Sequence, residues 1–159
     1  MLGKIAIGLV LALVLAIPAV AQDFYKGMFA ARHGKYAAAL KEWQPLAAKG
    51  HARAQYNIGF MYEEGRGVAL DLIEATKWFR KAAEQGHSKA QRTLGSKYEY
   101  GQGVPRNNIL AHMWYSLSAA NGDKFAVKSR NNVAKRMTPD QIAKAQKLEL
   151  KWQAMHKKK

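Results

Sequence analysis

The chain has 159 residues, with 26 Lys and Arg against 11 Asp and Glu, a formal net charge of +15 and no cysteine. The lack of cysteine excludes a disulfide framework and a thiolate metal site, so packing alone must hold the fold. The length allows one domain with a continuous core, and the charge bears on solubility and partners rather than on fold.

The N-terminal segment has the order of a secretory signal. Lys4 precedes an apolar run from Ile5 to Ile17, and residues 18–21 supply a small-residue cleavage site. The run is shorter than the roughly 20 residues that a membrane-spanning helix needs. We therefore predict that residues 1–21 are a signal peptide cleaved after Ala21, and that the mature chain is periplasmic or secreted with no integral membrane span. The alternative is an uncleaved membrane anchor.

Residues 22–50 are predicted to form a degenerate leading helix pair, with its turn at Gly34. Trp43 lies seven residues before Gly50, an offset that recurs 36 residues later, so the second helix of this pair belongs to the array described next. The apolar residues of the two helices are Phe24, Met28 and Phe29, then Tyr36, Ala39, Leu40, Trp43 and Leu46.

The centre of the chain repeats every 36 residues, as units 51–86 and 87–122. This period is typical of arrays of small units, each unable to bury its apolar face alone, and it predicts two helix-turn-helix repeats. The residues that match are Gly50, Gly86 and Gly122; Ala54, Ala90 and Ala126; and the pairs Gly59/Gly95, Tyr62/Tyr98, Gly65/Gly101, Gly67/Gly103, Val68/Val104, Ala75/Ala111 and Trp78/Trp114.

The first helix of each unit has a glycine near its centre. A glycine in a helix interior costs about 1 kcal/mol relative to alanine. Because Gly59 and Gly95 hold the same place in successive units, we predict that both lie in close contact with a neighbouring helix.

The ends of the helices carry recognisable signals. Glycine in the loops 65–68 and 101–104 can take the left-handed conformation that ends a helix. Asp71 is predicted to cap the second helix, with Glu74 reaching back as a capping box, and Asn107 to cap the equivalent helix without that partner.

These residues resemble the Sel-one-like repeat, a relative of the tetratricopeptide repeat. The pattern Ala-x-x-x-Leu/Ile-Gly-x-x-Tyr-x-x-Gly-x-Gly-Val, followed by Asp/Asn, Ala, Trp and Ala-Ala-x-x-Gly, stands at residues 54–86 and, with departures before Gly122, at 90–122. The resemblance implies an all-α, right-handed α-solenoid of antiparallel helix pairs whose concave side holds protein partners. Many bacterial members of that family are periplasmic, in agreement with the predicted signal peptide.

Residues 123–159 are predicted to form C-terminal capping helices and a basic tail, with eleven Lys and Arg against three acids. Thr138, Pro139 and Gln141 give the last helix a capped start. We expect eight helices of about 10 to 17 residues in four antiparallel pairs. The apolar face of the last helix is Ile142, Ala145, Leu148, Trp152 and Met155, and the basic residues of the tail are Lys135, Arg136, Lys144, Lys147, Lys151 and residues 157–159.

No sequence pattern of an active site is present, and we predict no enzyme activity, no cofactor and no metal site. His51 and His87 hold the same place in successive units and are predicted to be polar turn residues. Glu63 and Glu64 are predicted to lie at an exposed helix end rather than in a paired-carboxylate site. The chain has no recognised nucleic-acid-binding motif, so no nucleic-acid partner is expected.

The predicted partner-binding surface is the concave face lined by the first helices. Its candidate residues are Tyr56, Phe60, Glu63, Arg92, Ser96 and Glu99. They favour an exported adaptor that holds a protein or peptide partner. Against this, Tyr56 and Phe60 could be buried by the leading pair. A second hypothesis is a basic envelope-associated protein whose tail binds anionic polymer or lipid headgroups, unless the lysines serve only solubility.

Overall fold

A computed structural model of the chain describes residues 19–156, and all regular structure in this range is helical. The all-α class and the eight predicted helices are confirmed, with lengths of 11 to 18 residues. The helices are α1 (Ala19–Arg32), α2 (Tyr36–Ala48), α3 (Ala52–Glu64), α4 (Leu72–Glu84), α5 (Ser88–Tyr100), α6 (Asn108–Ala120), α7 (Lys124–Ala134) and α8 (Pro139–His156).

Two predictions fall wholly or mainly outside the described residues. The predicted signal segment lies outside them up to residue 18, and the lysines at 157–159 lie outside them entirely. Helix α1 begins at Ala19, before the predicted cleavage point after Ala21. Cleavage there would retain Phe24, which is the first side chain of α1 to enter the core.

The helices stack as an α-solenoid. Helices α1 and α2, α3 and α4, and α5 and α6 form antiparallel pairs, and α2 packs on α3 as α4 packs on α5. The predicted fourth pair is wrong, because α7 and α8 both pack on α6 instead of forming a hairpin. Helix α7 has two buried side chains, Ala126 and Val133, and both belong to the core that contains α6, while its other apolar side chains Phe125 and Val127 are exposed and not covered by α8.

The last helix covers the end of the core only with part of its predicted apolar face. Ala145 is buried, and Leu148 and Trp152 pack against the core cluster around α6. The rings of Trp152 and Trp114 meet edge to face with their centres 6.2 Å apart. Met155, predicted on this face, is exposed because α8 extends past the core it covers.

Each helix pair is closed by an aromatic ring lying against a glycine. Trp43, Phe79 and Tyr115 follow one another at 36-residue intervals, and all three are buried. A Cβ at Gly59 would lie 2.6 Å from the Phe79 ring, and one at Gly95 would lie 2.7 Å from the Tyr115 ring. The predicted close contacts of Gly59 and Gly95 are therefore confirmed.

The leading pair uses the same device with a different glycine. Gly27 of α1 lies directly against the indole of Trp43, where a side chain would have no room. Gly27 is 16 residues before its aromatic partner, whereas Gly59 is 20 residues before Phe79, because the turn between α1 and α2 is four residues shorter. Gly27 and Gly59 are therefore not 36 residues apart, and a fixed spacing of 36 does not reveal that they are equivalent.

Successive units are joined through the loop glycines. Gly103 has a φ of 73° and packs against the Leu72 carbonyl at the start of α4, and Gly67 has a φ of 74° and lies against Tyr36 and Ala37 at the start of α2. An L side chain at either position would meet both the unfavourable backbone conformation and the neighbouring helix. The Gly-x-Gly loop thus ends one helix and seats it on the unit before.

Two buried glutamines also connect the units. Gln55 Nε2 donates to the Ala47 carbonyl at the end of α2 (3.0 Å), and Gln55 Oε1 accepts from Gln85 Nε2 (2.6 Å). One unit later, Gln91 Nε2 donates to the Ala83 carbonyl (3.2 Å), and its Oε1 accepts from Asn121 (2.9 Å). Each glutamine links the ends of two second helices, which satisfies its buried amide.

The helix starts follow the predicted caps with one correction. Asp71 accepts from the amides of Ile73 and Glu74, but the Glu74 side chain pairs with Lys77 instead of completing a capping box. The ion pair with Lys77 on the same exposed face competes with the capping-box hydrogen bond to the Asp71 amide, and here the Glu74 carboxylate forms the ion pair. Asn107 caps α6, and Thr138 with Gln141 forms a reciprocal box at α8.

The replacement of Gly59 by alanine should destabilise the fold. At an ordinary helical position this change would gain about 1 kcal/mol from helix propensity. Here the added methyl meets the Phe79 ring, so we expect a loss of about 1 to 3 kcal/mol in the free energy of unfolding. Urea titration followed by circular dichroism measures this, with Lys41→Ala at an exposed position of α2 as control. A Gly59→Ala variant as stable as the control would contradict the packing argument.

Candidate functional site: a two-cavity groove

Five of the six predicted partner-binding residues line one cavity. Phe60 and Glu63 of α3 meet Arg92, Ser96 and Glu99 of α5 around a space of about 380 Å³. Helix α7 contributes Ser129 and Asn132 to its far side. We call this the polar cavity, since hydroxyl, amide and charged groups make up most of its wall.

A second cavity lies beside the first. It has a volume of about 300 Å³ and is here called the apolar cavity. Phe60 lines both cavities and is 37% exposed at the boundary between them. The leading pair therefore does not bury Phe60 but extends the groove past it. The residues of the apolar cavity are Met28, Ala31, Tyr36, Trp43, Asn57, Phe60, Met61, Glu64 and Arg66.

Tyr56 lines neither cavity. Its half-buried ring packs against Phe60 (5.1 Å between ring centres), His87 (4.9 Å) and Phe79 (5.7 Å). Burial raises the pKa of its hydroxyl. Tyr56 is thus covered by its own unit and by the start of the next one, not by the leading pair. Its ring packs against the Phe60 ring and helps to hold Phe60 in place.

Glu99 is buried, although it was predicted to face a partner. It lies four residues after Gly95, which places it on the side of α5 that contacts Tyr115 of α6. The Tyr115 hydroxyl donates to Glu99 Oε2 (2.8 Å), and Arg136 forms an ion pair with Oε1. Burial and Glu99 together raise the pKa of Tyr115. Glu99 is therefore a structural acceptor at the base of the polar cavity.

The other charges of the groove are also paired. Glu63 forms an ion pair with the buried Lys97, which donates as well to Gln102 (3.0 Å). Arg92 forms an ion pair with Asp123, with 2.7 Å between Arg92 Nε and Asp123 Oδ2. Burial opposes ionisation of Asp123, but the hydrogen bonds and charge of Arg92 and the amides of α7 hold its pKa below the usual range. These pairs fix the side chains of the groove before any ligand arrives.

The basic tail divides into two parts. Lys135, Lys144, Lys147 and Lys151 are exposed, and none has an acidic partner within the described range. Arg136 differs, because it reaches back to Glu99. The lysines of α8 are therefore accessible to a polyanion, whereas Arg136 is paired with Glu99 of the polar cavity.

The histidines at the unit boundaries act as helix caps. The Nδ1 atoms of His51 and His87 accept from the amides of Ala54 and Ala90, each at 3.2 Å, which confirms them as polar turn residues. Between residues 19 and 156, no three His, Asp or Glu side chains come together as metal ligands, and no helix is long and apolar enough to cross a membrane.

Some groove residues were missed at the sequence level. Asn57, Thr93 and Ser129 occupy the same place in α3, α5 and α7, the alternate helices that line the groove, and all are half buried in the cavity walls. The three positions are spaced 36 residues apart, but they hold three different polar residues. A search for identical residues at this spacing therefore does not detect them. Met28 was predicted only as an apolar residue of the leading pair and Met61 was not predicted, because their cavity exists only once the leading pair is in place.

Comparison with known proteins supports the same architecture. A family model described as Sel1 repeat matches residues 52–87 and 88–123. Over 42 residues, or 26% of the chain, the sequence is 45% identical to DAP3-binding cell death enhancer 1 of Rattus norvegicus and 47% identical to that of Mus musculus. The matched segment spans only 8% of these curated relatives.

Two solved structures resemble the chain along most of its length. One is c5321, a protective antigen present in uropathogenic Escherichia coli strains and displaying an SLR fold, with a TM-score of 0.80, 33% identity and coverage of 85% of this chain and 30% of that one. The other is a Sel1 repeat protein from Oxalobacter formigenes, with a TM-score of 0.66, 32% identity and coverage of 71% and 88%. With two matched repeats and this shared solenoid, the chain belongs to the Sel1 repeat (Sel-one-like) family, a non-catalytic family whose members generally act as protein-interaction scaffolds.

Proposed function

We propose that the protein is an exported adaptor that holds a segment of a protein partner in the groove of α1, α3, α5 and α7. The observation that carries this proposal is the pair of adjoining cavities that share Phe60. Each falls at the lower end of the volumes typical of ligand sites. Because the cavities follow one another across successive units, a chain of several residues fits them better than one compact molecule.

The prearranged walls of the groove favour binding. The ion pairs of Glu63 with Lys97 and of Arg92 with Asp123 hold long side chains in place. A ligand then need not order these side chains, which lowers the entropic cost of association. Phe60 and Tyr100 offer exposed aromatic surface beside them, the kind of residue that dominates binding energy at protein interfaces.

Crosslinking from inside the groove tests this proposal. A benzophenone amino acid at Tyr100, an exposed residue of the polar cavity, should crosslink to a partner in cells that produce the protein. Placed at Tyr25, an exposed tyrosine of α1 outside both cavities, it should not. Ser96→Trp, which fills the polar cavity, should abolish the Tyr100 crosslink while thermal unfolding stays cooperative. Equal crosslinking of a partner from the benzophenone at Tyr100 and from the one at Tyr25 would contradict groove binding.

Export is the second part of the proposal. It is supported by the order of Lys4, the apolar run and the small residues before Gln22. We expect the exported protein to begin at Gln22, and intact-mass measurement of the periplasmic or secreted fraction checks this. A mass that retains residues 1–21 in a membrane fraction would instead indicate an anchor.

A second candidate function is attachment to an anionic envelope surface through α8. The observation that favours it is the exposure of Lys144, Lys147 and Lys151 at helical spacing with no acidic partner in the described range. Near an anionic membrane each such charge contributes about 1 kcal/mol of attraction. This attraction is screened by salt, whereas groove binding depends less on it.

The two roles of α8 should separate by mutation. Changing Lys144, Lys147 and Lys151 to Gln should weaken binding to vesicles that contain anionic lipid and should move unfolding by no more than about 0.5 kcal/mol. Trp152→Ala should instead destabilise the fold, because Trp152 packs on Trp114 at the end of the core. Vesicle sedimentation and urea titration measure the two effects. A triple variant as unstable as Trp152→Ala would overturn this division.

A further inference from the structure

We infer that the groove selects an extended peptide segment in which a bulky apolar residue lies close to acidic residues. The apolar cavity takes the apolar side chain, and Arg92 in the wall of the polar cavity, with Arg136 beside Glu99, takes the carboxylates. This inference rests on the proposed function and specifies which residue types the bound segment of the partner contains. Its support comes from the wall of the apolar cavity, from the unequal exposure of the ion pairs and from a row of polar side chains.

The apolar cavity is built to accept one large side chain. The thioethers of Met28 and Met61 and the rings of Trp43 and Phe60 form its wall. Methionine is flexible and polarisable, so such a wall can adapt to branched or aromatic side chains. Its mouth carries the Glu64–Arg66 ion pair, which leaves no unbalanced charge there to repel an apolar group.

Two of the three ion pairs at the polar cavity expose their basic partner: Arg92, which lines the cavity, and Arg136, which pairs with the lining residue Glu99. The side chain of Arg92 is 35% exposed and that of its partner Asp123 is 8% exposed. Arg136 is 45% exposed against 6% for Glu99. In these two pairs the carboxylates are the buried partners and the guanidinium groups face solvent. The third pair is reversed, since Glu63 on the α3 side is 22% exposed and Lys97 is 3% exposed, so the accessible basic surface is that of Arg92 and Arg136. Each guanidinium has five donors, so donors remain for a carboxylate of the ligand.

The net charge of the whole chain also favours an acidic ligand. A net charge of +15 attracts acidic partners and repels basic ones. A basic segment would also face the outward guanidinium groups of Arg92 and Arg136 directly. The occupant of this groove is therefore an acidic segment with an apolar anchor.

A row of polar side chains favours an extended ligand. Asn57, Thr93 and Ser129 stand at the same place in α3, α5 and α7. The Asn57 amide makes its one described hydrogen bond to the Met28 sulfur, at 3.5 Å, and sulfur is a weak acceptor. An extended main chain presents unpaired N–H and C=O groups that require such partners, whereas a helix has satisfied its own.

Selection from a random peptide library tests this specificity without a known partner. A phage-displayed library of nine-residue peptides selected on the full chain should yield sequences with one large apolar residue near Asp or Glu. Asn57→Phe, which fills the apolar cavity, should remove the apolar preference and keep the acidic one. Arg92→Gln should do the reverse. The Lys144, Lys147 and Lys151 to Gln variant should select the same sequences as the unmodified chain.

Affinities of a synthetic peptide with the selected consensus complete the test. By fluorescence polarisation, Phe60→Ala and Asn57→Phe should each raise its Kd about tenfold or more. The two variants change packing in opposite directions, so a shared loss of affinity reports on the cavity, and urea titration identifies any loss of fold.

Specific results would overturn the inference. These are no enriched sequences, enrichment of basic peptides, a consensus unchanged by Asn57→Phe and Arg92→Gln, or affinity lost only in the tail variant. If one of these occurs while the Tyr100 crosslink forms, the groove binds a partner of another chemistry and the proposed function stands. If the crosslink also fails, both fall.

Discussion

The contact between a helical glycine and an aromatic ring sets the geometry of every unit. Gly59 with Phe79, and Gly95 with Tyr115, bring the two helices of a pair so close that no side chain fits between backbone and ring. This packing holds the helix pairs together in a chain that has no cysteine to form a disulfide. Two of the three rings that pack in this way also reach the groove, since Trp43 lines the apolar cavity and Tyr115 lines the polar cavity. The distance between the helices of a pair therefore affects both the stability of the solenoid and the shape of the groove.

Polar contacts fix how one unit sits on the next. The Gln55 and Gln91 amides tie the ends of successive second helices together, and the Glu63–Lys97 pair joins the first helices. Apolar packing alone tolerates sliding, whereas a buried amide or ion pair is satisfied in only one register. The side chains across the groove hence keep their spacing. Under the proposed function, a partner would meet a prearranged surface instead of one that must order on binding.

Periodicity predicts whatever recurs at a fixed interval. The helices, the Gly59 and Gly95 contacts and the cap at Asp71 all follow from local chemistry repeated 36 residues apart. Periodicity fails where equivalent residues meet different neighbours. Glu63 pairs with Lys97 at the edge of the groove, whereas its equivalent Glu99 lies under Arg136 and bonds Tyr115. It also fails at Gly27, where a loop four residues shorter shifts the register. The pairing of α7 with α8 was wrong because helix order alone does not reveal which apolar faces remain free.

The residues that repeat build the scaffold, and those that differ between units give the groove its direction. Phe60 stands where the next unit has Ser96 and the third has Asn132, so the groove passes from an aromatic to a polar wall along the array. A surface of identical units would bind a ligand equally well in any register. The leading pair adds Met28 beside Phe60 at one end only, and there the inferred apolar anchor would fix the register of the bound segment. Through Met28 and Trp43 the degenerate pair thus gives this end of the groove a lining that the rest of the groove lacks.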